Sequence, residues 1–139
     1  MIWKENDDAG NKRVMIQLLV NLSLADGEMS SNELRYILDV TRIFGIDANE
    51  VKSFLINSSE DYQVPSSEID RMTIIYYLLF LMKVDGKVSI AEENLIYHYG
   101  FKLGFNESML RDLIIVIKQY LGKYLPPTIL LDYVKKYLN

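Results

Sequence analysis

Two stretches of this 139-residue chain carry one pattern at a fixed spacing. Leu22-Ser23-Leu24-Ala25-Asp26-Gly27-Glu28-Met29-Ser30-Ser31-Asn32-Glu33 aligns with Leu81-Met82-Lys83-Val84-Asp85-Gly86-Lys87-Val88-Ser89-Ile90-Ala91-Glu92, at a constant offset of 59. The same offset pairs Ile37 with Ile96 and Phe44-Gly45-Ile46 with Leu103-Gly104-Phe105. Over 22–45 against 81–104, seven of 24 positions are identical, where unrelated pairing gives roughly one or two. Two copies cannot make a solenoid, whose end repeats need interior neighbours. The repeat therefore predicts two helical halves, about 11–57 and 67–122, packed about a pseudo-twofold axis.

Apolar spacing says that the halves are helical. Val14, Leu18, Leu22 and Ala25, with Met15 and Leu19 beside them, form a stripe of helical period. Leu110, Leu113, Ile114, Ile117 and Leu121 form another, and Ile129, Leu130, Tyr133, Val134, Tyr137 and Leu138 a third. No segment alternates apolar and polar with hairpin chemistry at its ends. The expectation is an all-α fold of about seven helices: 11–25, 31–44, 48–57, 67–84, 90–103, 107–122 and 128–138. Residues 1–10 are expected to be a flexible N-terminus and 11–139 a single domain. The run Met72–Met82 is apolar on every side, as suits a buried central helix. Its eleven residues fall short of the roughly 20 that span a bilayer.

Composition narrows the chemistry. With no cysteine and one histidine, His98, the chain has no thiolate chemistry and little of the usual zinc or histidine acid–base machinery. His98 lies between Tyr97 and Tyr99, where packing is the simpler role. The net charge of −4 argues against nucleic acid as a partner. Residues 1–70 carry 13 acids and 6 bases, residues 71–139 carry 6 acids and 9 bases, so the surface is dipolar. No phosphate loop, nucleophile elbow or zinc-protease motif is present, and no enzymatic activity is expected. The acidic start Met1-Ile2-Trp3-Lys4-Glu5 lacks a signal peptide's apolar run. The expected location is cytoplasmic, with peripheral membrane contact open through dispersed C-terminal lysines. Tyr120, Tyr124, Tyr133 and Tyr137 suit either packing or a protein-binding face.

The repeated turn reads Asp-Gly-x-hydrophobic-Ser-x-x-Glu. Much of it is explained by a helical hairpin. Gly27 and Gly86 suit a left-handed residue after a helix, and Ser30…Glu33 and Ser89…Glu92 are capping boxes. Asp26 and Asp85 fit less well, because a carboxylate near a helix C-terminus is unfavourable by about 0.3–1 kcal/mol. An Asx-turn or a bound cation offsets that cost. The last eight positions match the second half of an EF-hand loop, but Leu22, Leu24, Leu81 and Lys83 stand where its first ligands belong. If the hairpins face each other, Asp26, Glu33, Asp85 and Glu92 can converge on a hard cation such as Ca²⁺ or Mg²⁺. Structural turns and a cation site both stay open on spacing alone. Lys87 weakens the second turn as a ligand donor, and Glu28 in its place favours the first.

The run L-A-D-G-E-x-S-x-x-E at 24–33, repeated as V-D-G-K-V-S-x-x-E at 84–92, resembles the TerB-like tellurite-resistance domain. That family shares its fold with the N-terminal domain of certain membrane-anchored DnaJ-type co-chaperones. The resemblance covers roughly residues 11–122. It implies an all-helical, non-enzymatic domain tied to bacterial stress responses and membrane-associated complexes, which binds metal through its acidic turns. Carried onto this chain, the implied ligands are Asp26, Glu33, Asp85 and Glu92, with Glu28 auxiliary and Lys87 a departure. The competing expectation is a protein–protein interaction scaffold whose turns are purely structural.

Overall fold

A computed structural model describes residues 9–57, 59 and 61–137. Its described residues form seven helices and no strand, which is the all-α class expected. They are α1 (Ala9–Ser23), α2 (Ser31–Ile43), α3 (Ala48–Ile56), α4 (Glu68–Val84), α5 (Ile90–Lys102), α6 (Glu107–Gln119) and α7 (Pro127–Tyr137). Most of the expected N-terminal segment, residues 1–8, lies outside the described residues, whereas Ala9 and Gly10 already belong to α1. No helix among the described residues is long and apolar enough to cross a membrane.

Side chains set these boundaries. Ser30, Ser67 and Ser89 cap α2, α4 and α5, Asp47 caps α3 and Asn106 caps α6, each accepting a backbone N–H that the first turn leaves unpaired. Pro127 opens α7, where its missing N–H costs nothing. α1 and α6 stop two or three residues before the expected ends. In both places the chain tightens into three-residue hydrogen bonds, Ala25 N–H to Leu22 O and Tyr120 N–H to Ile117 O.

The register of the repeat survives folding. The starts of α1 and α4, α2 and α5, and α3 and α6 are each separated by the same 59 positions. Exchanging α1 with α4, α2 with α5 and α3 with α6 leaves the set of contacts among these six helices unchanged. α7 has no counterpart and packs on α4 and α6.

The core is built around α4, as its apolar run predicts, but α1 is buried just as deeply. Every residue from Met15 to Ser23 is inaccessible or nearly so. Gln17 and Asn21 hide this in the sequence, since polar side chains interrupt the apolar run. They are tolerated because their amide nitrogens have partners, although Asn21 Oδ1 is left without one. Gln17 Nε2 donates to Ser59 O at 2.6 Å and Asp61 O at 3.1 Å, and Asn21 Nδ2 donates to Ser59 O at 3.0 Å. The polar loop between the halves is thereby tied to α1. The centre is thus a pair of equivalent helices, with the two acidic turns at their C-terminal ends.

Candidate functional site

Because α1 and α4 pack on each other and on both of the following helices, the turns that leave them are brought together. Asp26, Glu28, Ser30 and Glu33 from the first turn and Asp85 and Lys87 from the second line one cleft of about 150 Å³. Both turns reverse through a glycine in the left-handed region, Gly27 at φ +97° and Gly86 at φ +75°. Nothing lies within 4 Å of where a Cβ would stand on either, so glycine is required there for conformation and not for space.

The aspartates and glutamates have different surroundings. Asp26 and Glu28 are exposed. Asp26 sits beyond the end of α1, and its Oδ1 accepts only a long 3.4 Å bond from Glu28 N–H. Asp85 is the C-cap of α4, where the dipole works against its charge. Glu33 and Glu92 are buried, 4% and 2% exposed, because each folds back over its own helix start. Ser30 N–H donates to Glu33 Oε1 at 2.9 Å and Ser89 N–H to Glu92 Oε1 at 3.1 Å, completing two capping boxes. The structural explanation of the serines and glutamates is therefore correct.

It is also incomplete. The box uses one oxygen of each glutamate, and Glu92 Oε2 is buried without a hydrogen-bond partner. Burial pushes the Glu33 carboxyl above the ordinary glutamate range; the bonds from Ser30 pull it down, and repulsion from Asp85 and Glu92 pushes it up again. Burial likewise raises Glu92, the Ser89 bonds lower it, and Asp26 and Asp85 raise it. Charges of each half thus act on the buried glutamate of the other. The four carboxylates singled out by the repeat form one mutually repelling cluster, with Glu28 at its rim. Among the described residues, however, no three Asp, Glu or His side chains are placed so that they could hold a metal ion. Any ion must draw in exposed carboxylates such as Asp26 and Glu28.

A second hollow adjoins the first and was not legible in the sequence. Ala25, Ala91, Asn94, Leu95 and His98 line a mostly apolar groove of about 290 Å³. Ala25 precedes Asp26 of the cleft, and the four α5 residues share one helical face. The counterparts in the repeat are bulkier at four of the five places: Val84 for Ala25, Asn32 for Ala91, Arg35 for Asn94 and Tyr36 for Leu95. Tyr36 reaches α4, its hydroxyl donating to Tyr77 O at 3.0 Å, a bond that leucine cannot make. His98 is exposed in this groove and takes no part in the acidic cleft. Of the C-terminal tyrosines, Tyr124 is 78% exposed while Tyr120, Tyr133 and Tyr137 are half-buried.

No family model, no curated protein and no solved structure matches this chain.

Proposed function

We propose that this domain is a non-enzymatic, TerB-like stress-response module that takes a divalent cation, Ca²⁺ or Mg²⁺, into the cleft between its two Asp-Gly turns. The family is suggested by the resemblance of the turns. The cation is supported by the cleft itself. The observation that carries it is Glu92 Oε2, a carboxylate oxygen buried with no donor beside a set of repelling acids. Leaving such an atom unpaired costs about 1–3 kcal/mol or more, and a cation at the mouth offsets the repulsion that Asp26 and Asp85 add to it. The donors are hard oxygens throughout, which suits Ca²⁺ and Mg²⁺ better than soft metals. Asp26 and Glu28 supply exposed ligands, Glu33 is the buried acid of the lining, and Glu92 adds its charge from a buried position outside the lining.

The test is thermal melting with and without Ca²⁺, Mg²⁺ and Mn²⁺, on the wild type and the Asp26→Asn/Asp85→Asn variant. A specific ion raises the melting temperature by mass action, by an amount equivalent to about 2.7 kcal/mol at a hundredfold excess over Kd. The variant loses the rise. No shift in the wild type would remove the cation reading.

The apolar groove beside the cleft favours a second reading, an interaction scaffold with structural turns. A partner matched to it carries an apolar side chain next to a basic one, because the groove ends where Asp26 begins. Leu95→Tyr, which copies the filled half of the repeat, blocks such a partner and leaves the cleft acids in place.

A further inference from the structure

We infer that the outward face of α5 is the interface of a homodimer, in which two copies of this chain meet with their α5 helices antiparallel. This rests on the scaffold reading above and names its partner. Ile90, Asn94, Tyr97, His98 and Phe101 fall at helical spacing and share one face of α5. Ile90 is 79% exposed and Phe101 52%, Asn94 and His98 are exposed, and the half-buried Tyr97 ring stands 6.2 Å from that of Phe101. None of the five is an aspartate, glutamate, lysine or arginine. Single exposed apolar residues are ordinary, but an uncharged helix face with a large apolar residue at each end is not. The repeat supplies the comparison. At the equivalent places α2 carries Ser31, Arg35, Leu38, Asp39 and Arg42, and Arg42 donates to Asp39 Oδ1 at 2.6 Å on the exposed surface. One half turns a charged face to water, and the other turns isoleucine, asparagine and aromatic rings.

Three features select a second copy as what covers this face. Ile90 and Phe101 lie about 16 Å apart along the helix, so an antiparallel copy sets each Ile90 against the other's Phe101, as a two-fold axis requires. The residues nearest that axis, Asn94 and Tyr97, are uncharged, so a copy can meet itself there without like-charge repulsion. Arg35 in the place of Asn94 would not allow that. The third feature is the groove, which shares Asn94 and His98 with the face and fits an apolar side chain beside a basic one. Phe101-Lys102 is such a pair. It stands at the end of α5 away from the acidic turns, and the antiparallel arrangement carries it to the Asp26 end of the copy's groove. Lys102 is exposed, its ammonium 5.4 Å from the centre of the Tyr62 ring. A face one helix wide buries little area, so the dimer is weak and depends on concentration.

The test is sedimentation of the full chain from low micromolar to near-millimolar concentration, as wild type, Ile90→Ser, Phe101→Arg, Leu95→Tyr and Ile56→Ser. The first two substitutions copy the residues of α2, and Ile56, 70% exposed on α3, controls for the loss of an exposed apolar side chain. Circular dichroism verifies that all five fold alike. The wild type is expected to pass from one chain to two as concentration rises. Ile90→Ser and Phe101→Arg should each weaken association about tenfold, Leu95→Tyr should weaken it by filling the groove, and Ile56→Ser should change it less than twofold. A second readout uses the absence of cysteine. Asn94→Cys places a lone thiol near the axis, where a short bis-maleimide should join two chains, and Ile56→Cys should stay unjoined. A wild type that remains monomeric throughout would overturn the homodimer and leave the groove, with the scaffold reading, to a different protein. A dimer indifferent to Ile90→Ser and Phe101→Arg would overturn the α5 interface. A dimer that those two weaken and Leu95→Tyr does not would support the interface and remove the groove from the scaffold reading.

Discussion

Asn11 Nδ2 donates to Asp70 Oδ2 at 2.8 Å, and the two residues occupy the same position of the two repeats. Equivalent residues can touch only where the halves meet, so this bond marks the seam between the starts of α1 and α4. The acidic turns lie at the other ends of the same two helices. The repeat has already diverged here, since two asparagines or two aspartates would not make so strong a bond as an amide and a carboxylate.

The seam bond is expected to be measurable. In a double-mutant cycle of Asn11→Ala and Asp70→Ala, the coupling energy in urea unfolding should be about 1 kcal/mol. A coupling indistinguishable from zero would mean that the halves are joined by apolar contacts of α1 with α4 alone.

Gly100 shows how the two halves solve one packing problem differently. A Cβ at this position would stand 2.5 Å from Leu110 Cδ1 and 2.6 Å from Cδ2. Leu110 is fully buried, so it can withdraw only by displacing its neighbours. The equivalent residues in the first half are Thr41 and Val51, two side chains of nearly equal size in place of a glycine and a leucine. Alanine in a helix is ordinarily better than glycine by about 1 kcal/mol, yet Gly100→Ala is expected to destabilise by about 1–3 kcal/mol through overpacking. Adding Leu110→Val, the first half's own solution, should recover most of the loss. Failure of that rescue in chemical denaturation would show the clash to lie elsewhere.

What the sequence discloses follows from which interactions are local. Helix starts were readable because Ser30, Ser89 and Ser67 act within three or four residues of themselves. The four coupled carboxylates were readable because the repeat fixed their positions and the helices that bear them had to pack. Tertiary facts were not. The burial of α1 depends on carbonyls of Ser59 and Asp61 some 40 residues away in the chain. The groove depends on what Ala25 and Leu95 fail to fill, which no periodicity records. The orphan state of Glu92 Oε2 arises because one oxygen is used locally and the other is covered by distant packing.

The capping serines hold the glutamates as well as the helices. Ser30→Ala or Ser89→Ala removes the acceptor for Glu33 N–H or Glu92 N–H, both bonds of 3.1 Å. Each is expected to cost about 1 kcal/mol in urea unfolding, and the corresponding glycine variants only a few tenths. If the alanine variants are as stable as the wild type, the boxes are decorative and the burial of the glutamates needs another cause.

The buried glutamates should also give the protein a pH dependence with a definite sign. Both carboxyls titrate above the ordinary value of 4.5 when folded, chiefly through burial. The folded state therefore holds protons that the unfolded chain has released, and stability falls as pH rises through that interval. These two groups cost nothing below the unfolded value and their full penalty above the folded one. Glu92→Gln keeps an oxygen for Ser89 N–H and cannot ionise. In urea titrations from pH 4 to pH 8 without divalent ions, its stability relative to the wild type should climb as pH rises past 4.5 and then level off. The difference reports Glu92 together with the repulsion it exerts on Glu33, with carboxylates outside the cluster cancelling. Saturating Ca²⁺ should shrink that advantage near neutral pH, because the ion supplies the charge that the wild-type site lacks and finds less to bind in the variant. A relative stability that is flat across the range, or that falls with rising pH, would show Glu92 to be no more burdened folded than unfolded. The main physical support for a cation in this cleft would go with it.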